Sequence, residues 1–89
     1  MNVNNRGRIV VGYRFLMEHP EAVQRLFAEI GLLPIRVNHD MFCDTVEYAG
    51  YSESFRETVD GELAPVYRVL CRVDASQKIE KCWAEEIKE

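Results

Sequence analysis

The segment from His19-Pro20-Glu21 through Gly31 to Pro34 constrains the fold more than any other part of this 89-residue chain. Proline is favoured at the first helical position, where its missing N–H costs nothing, and an early acid suits the positive end of the helix dipole. Ala22, Val23, Leu26, Phe27 and Ile30 then recur at steps of three and four and form one apolar stripe. Gly31 can take the left-handed cap, and Pro34 prevents continuation. The pattern predicts a helix over residues 20–30, whose stripe needs a partner surface.

Strands supply that surface. Ile9 to Leu16 accommodates a strand or a first helical stretch, and its β-branched residues favour the strand. Leu33 to Val37 is short, apolar and follows a break, and Val46, Tyr48 and the next few residues form another strand. Asp60-Gly61, between Val59 and Glu62, is the two-residue signature of a type I′ hairpin. It predicts a strand around Ser54–Val59 paired with one starting near Leu63, with Pro65 at a bulge or an edge because it has no donor. Tyr67, Val69, Cys71 and Val73 alternate with Arg68, Leu70 and Arg72 as a half-buried strand does. At the C-terminus Ile79, Cys82, Trp83 and Ile87 fall at helical spacing with Ser76 as a cap, while residues 74–78 also read as a hairpin loop. A last strand is favoured, since consecutive strands commonly pair. The expected fold is α+β: one main helix packed on a mostly antiparallel sheet of about four to five strands.

A chain of this length holds one domain, residues 1–89, and a polar, Asn-rich start over residues 1–8 reads as a flexible N-terminal arm. A hydrophobic share of 47% with 29% charged residues is that of a folded chain and not of a disordered one. Cys43, Cys71 and Cys82 are an odd count at spacings of 28 and 11, fitting neither a disulfide framework nor a paired CxxC metal site. A reducing cytoplasm is the simpler setting. The early apolar run is interrupted by Gly12 and Arg14, so neither a signal peptide nor a membrane span is expected.

Charge is segregated along the chain. Residues 1–39 carry five Arg and three acids, whereas residues 40–89 carry six bases and twelve acids. Between Asp40 and Glu62 lie seven acids, Asp40, Asp44, Glu47, Glu53, Glu57, Asp60 and Glu62, against the single base Arg56, with Tyr48, Tyr51 and Phe55 among them. A net charge of −4 argues against a sequence-independent grip on nucleic acid or an anionic membrane. It suits a protein partner with a basic surface, and basic surfaces are chiefly those that hold nucleic acid. Asp44, Glu47, Glu53, Glu57, Asp60 and Glu62 would then supply charge and Tyr51 an apolar anchor, with Trp83 the other partly exposed aromatic. The expected function is a small acidic domain that binds and blocks a nucleic-acid-handling protein complex. The bland reading of the same acids is a solubilising face.

Other chemistries find less support. His39, Asp40, Cys43 and Asp44 place an imidazole, a thiol and two carboxylates close in sequence, which frames metal or small-molecule binding as an alternative. Structural zinc sites, however, recruit a second ligand cluster that is missing here. On an extended segment His39 and Cys43 lie roughly 13 Å apart, too far for a nucleophile and its base. Solvated acids keep ordinary pKa values, and no Gly-rich phosphate loop, GxSxG or HExxH is present, so neither an enzyme nor a cofactor is expected. A structural homodimer through a strand edge near Pro65 or the last strand is the other alternative. Short length, acidity, an α+β build and no catalytic set together make the chain similar to many small phage proteins, anti-CRISPRs among them. This likeness of type carries no residue assignments.

Overall fold

In strand β1 (Arg6–Gly12) Gly7, Ile9 and Val11 are buried while the alternate residues Arg6, Arg8 and Val10 are half-exposed, as the two-residue period of a strand dictates. The computed structural model describes residues 5–59 and 61–88. After β1 come helices α1 (Tyr13–Glu18) and α2 (Pro20–Ile30), then β2 (Leu33–Asp40), β3 (Thr45–Tyr51), β4 (Val66–Val73) and β5 (Ile79–Glu86). The fold is α+β: a five-stranded mixed sheet in the order β2-β3-β1-β4-β5 with two short helices. Only β1 and β4 pair in parallel.

Helix α2 has the expected bounds. Pro20 opens it, Val23 and Leu26 are buried, and Gly31 at φ +63° caps it, with the Leu32 N–H donating back to the Phe27 carbonyl. Residues 13–16, the end of the expected strand, belong instead to α1. The ladder ends at Gly12 opposite Thr45, and the Tyr13 N–H closes it on the Asp44 carbonyl. Beyond that point Arg14, Leu16, Met17 and Glu18 are good helix formers with no strand left to pair with.

β1, the helices and β2 make a split β-α-β unit in which β3 runs antiparallel between the two strands. One core joins Leu26 of α2 to Ile9, Tyr67 and Cys82 of three strands, and Phe15 of α1 packs on it. Both helices therefore cover one face of the sheet. The edges are β2 and β5; the expected edge at Pro65 is overturned, because Pro65 is buried and leads into an inner strand.

The expected hairpin about residues 54–63 is also overturned. A turn exists, with the Glu62 N–H donating to the Val59 carbonyl and Gly61 at φ +85°, but neither flank is a strand; Asp60 lies outside the described residues. Segment 52–65 instead crosses the start of β1 to connect β3 to β4. Its backbone is spent locally: the Phe55 and Ser54 N–H groups donate to the carbonyl and hydroxyl of Ser52, and the Arg56 N–H donates to the Tyr67 hydroxyl. Phe55 is 2% exposed, stacks on Tyr67 at 4.6 Å and fills the space over Gly7, where a Cβ would stand 2.7 Å from its ring.

Residues assigned by sequence to a flexible arm hold this crossing. Asn5 donates to the Phe55 carbonyl, Arg6 to the Glu62 carbonyl and Arg8 to the Ala64 carbonyl, and Arg6–Arg8 are strand; residues 1–4 lie outside the description. At the C-terminus the strand is realised as β5, with residues 74–78 as its hairpin loop. Cys71 and Cys82 face each other across β4 and β5 and form a disulfide, which corrects the expectation of unpaired cysteines. Their spacing of 11 is that of two directly opposed hairpin positions. Among the described residues, no helix is long and apolar enough to cross a membrane.

Candidate functional site

The acids expected to act together divide between two ends of β3. Asp44 sits in the turn before it at φ +54°, with its carboxylate 3.8 Å from His39 Nε2. Glu47 is half-buried on β3, opposite Val10 and Asn38. Tyr51 ends the strand, and Glu53, Glu57 and Glu62 follow on the crossing segment. From Asp44 to Tyr51 the extended chain covers roughly 24 Å. The exposed acids Glu53 and Glu57 and the turn acid Asp44 are thus opposite ends of one surface, not one patch.

Glu62 is already engaged. The Val59 N–H and then the Arg56 guanidinium hold its carboxyl below the usual carboxylate range. Arg56 also donates from Nε to both oxygens of Glu86 at 3.0 Å. The lone base of the acidic stretch therefore neutralises one of its acids, in an exposed pair of small energetic worth. Of the N-terminal arginines, Arg14, Arg25 and Arg36 form no ion pair among the described residues, while the charge of Arg6 adds to the lowering at Glu62.

The His39, Asp40 and Cys43 constellation is a turn and not a ligand set. The Asp40 carboxylate accepts the N–H groups of Cys43 at 3.2 Å and Phe42 at 3.0 Å, and its pKa is lowered first by Cys43; a hydrogen bond to Asp40 and then its charge raise the pKa of the exposed Cys43 thiol. His39 stacks on Tyr13 at 4.7 Å. Among the described residues no three His, Cys, Asp or Glu side chains converge as a metal site.

Two features escaped the sequence reading. The first is a row of exposed apolar side chains along edge strand β2 and its turn: Leu33 (49%), Ile35 (71%), Val37 (54%), Met41 (81%) and Phe42 (101%). The whole of β2 is exposed, so its hydrophobic residues do not serve this chain's core. The signal was the apolar content of Leu33–Val37, which was read only as the mark of a strand.

The second lies on the sheet face away from the helices. The register aligns Arg8, Ala49 and Arg36 in one row across β1, β3 and β2, with Arg6 opposite Tyr51 in the next. The alternation of Arg6 and Arg8 in the sequence would have shown the pair had the strand been started at residue 6. Arg6 Nε is buried with no hydrogen-bond partner among the described residues, a state that costs about 1–3 kcal/mol. Tyr48, on the helix side, has its pKa raised by burial and takes no part here.

No family model matches this chain, and comparison with curated proteins and with solved structures found no similar protein.

Proposed function

We propose that this chain is a non-enzymatic interaction domain that binds a protein and blocks a nucleic-acid-handling complex, in the manner of a phage-type, anti-CRISPR-like inhibitor. The observation that carries the reading is the row Leu33, Ile35, Val37, Met41 and Phe42 on an unpaired strand edge. Monomers seldom leave so many apolar side chains uncovered along one edge, here on both faces of the strand. Strand edges recruit partners through backbone hydrogen bonds, and apolar anchors supply the affinity.

The acids take the place of a rim. Asp44 and Glu47 flank one end of the row and Glu53 and Glu57 extend beyond the other. A standard interface of about 800 Å² per partner spans roughly 30 Å, enough to include both ends. Rim charges of one sign steer a partner of the other sign, here a basic surface of the kind that grips nucleic acid. Tyr51 stands between the row and the loop acids as an aromatic contact. Glu62 extends the charge more weakly because Arg56 holds it, and Asp60, outside the described residues, belongs to the same proposal by its sequence position alone.

A cytoplasmic setting belongs to the same proposal. Disulfides are rare there, so Cys71 and Cys82 would react with a thiol label applied at the moment of lysis.

The test is capture by wild-type protein, Phe42→Asp and the Glu53→Lys, Glu57→Lys double variant, followed by a nucleic-acid-binding assay on the purified target. Phe42 is fully exposed, so its replacement leaves the fold intact. The expected result is a target that loses nucleic acid when wild type is added. Phe42→Asp should fail to bind, and the double variant should bind more slowly and with less salt dependence. A target retained equally by Phe42→Asp, or one with no nucleic-acid activity, would overturn the reading.

A further inference from the structure

A cleft of about 270 Å³ opens on the helix-free face between the β1–β3–β2 rows and the end of the crossing segment, lined by Arg6, Arg8, Arg36, Ala49, Tyr51 and Ala64 among others. Among the described residues no carboxylate lines it. Three arginines therefore line one small space in a chain of net charge −4. Ala49 is what makes the space. It stands directly between Arg8 and Arg36 in the register, and its methyl group leaves room where a longer side chain would fill the gap.

The guanidiniums are partly committed and partly open. Arg8 donates from Nε and Nη2 to the Ala64 carbonyl at 3.1 and 2.7 Å, which leaves Nη1 unengaged. Arg6 donates from Nη2 to the Glu62 carbonyl at 3.1 Å, while its buried Nε has no partner among the described residues. Arg36 makes no hydrogen bond or ion pair among them. Two of the guanidiniums are thus held in place by backbone carbonyls before any ligand arrives. Such preorganisation lowers the cost of binding.

We propose that this cleft binds the phosphate of a small phosphate ester of the nucleoside monophosphate class. Guanidinium forks match phosphate oxygens bidentately, and three cationic side chains from two strands suit a phosphate dianion better than a singly charged carboxylate. The Tyr51 ring and the Ile35 side chain provide an apolar wall for a flat base or sugar. Glu62, whose carbonyl holds Arg6, brings a negative charge near the cleft that repels a long polyanion and favours a mononucleotide over a nucleic acid strand. The cleft shares Ile35 and Tyr51 with the β2 edge proposed for protein binding, so a protein seated on that edge would compete with the phosphate ester.

Amide NMR titration of the full chain with adenosine monophosphate, inorganic phosphate, malonate and a short single-stranded oligonucleotide tests it. The monophosphate should shift the Gly7, Arg8, Ala49 and Gly50 amides saturably, and inorganic phosphate should shift the same amides more weakly. Exposed Arg36, which supports no other group, gives the clean variant: Arg36→Gln should weaken the monophosphate about tenfold, the order expected for one charge-assisted contact. Absence of shifts, shifts unchanged in Arg36→Gln, equal binding of malonate, or tighter binding of the oligonucleotide than of the monophosphate would each overturn the proposal.

Discussion

Phe55 shows how one side chain decides the route of a segment. Its ring is buried against Tyr67 and over Gly7, and its backbone is held by Ser52 and Asn5. Gly7 is required because a Cβ there would collide with the ring, and Gly50 because a Cβ would meet the Leu33 carbonyl. Removing the ring leaves a cavity under the crossing segment. Phe55→Ala should therefore cost about 3–5 kcal/mol in urea unfolding. A loss under about 1 kcal/mol, the range of surface substitutions, would show that the segment is not anchored there. In sequence Phe55 stood out only as one aromatic in an acidic run, since nothing local says that it faces inward.

At the level of elements, the β4–β5 hairpin depends on Asp74. Its carboxylate accepts the Ser76 hydroxyl at 2.7 Å and the N–H groups of Ser76 and Lys78 at 2.8 and 2.9 Å, and these bonds, the hydroxyl first, depress its pKa. A depressed carboxylate stabilises the fold above its unfolded pKa of about 3.9, and that contribution disappears as pH falls through the lower folded value. The difference in urea midpoint between wild type and Asp74→Ala should be constant from neutral pH to about pH 5 and close in stronger acid. A difference that persists unchanged into acid would mean that the charge is not what holds the turn. The hairpin was readable from the alternation of residues 67–73 and the polar loop after it. Helix α1 was less so, because Tyr13 to Glu18 suits a strand or a helix and only the end of the β1 ladder chooses.

For the whole molecule, the disulfide between Cys71 and Cys82 ties together two strands at one edge of the sheet, on the face that α2 covers. In purified protein kept without reductant, a thiol reagent should modify Cys43 alone, and reduction should lower stability by about 2–3 kcal/mol for a loop this short. Three reactive thiols in the native state would refute the pairing. The sequence alone determined the bounds of α2 and the strand over 67–73, since their signals are a proline, a glycine cap and short-range periods carried by adjacent residues. Tertiary structure decided the parallel β1–β4 pairing, the route of segment 52–65, the division of the acids between two ends and the meeting of Arg6, Arg8 and Arg36. Each of these rests on contacts between residues far apart in the chain, 56 positions in the case of Arg8 and Ala64. Local preference cannot encode such a meeting; the register of the sheet and the loop-closure cost met by core burial select it.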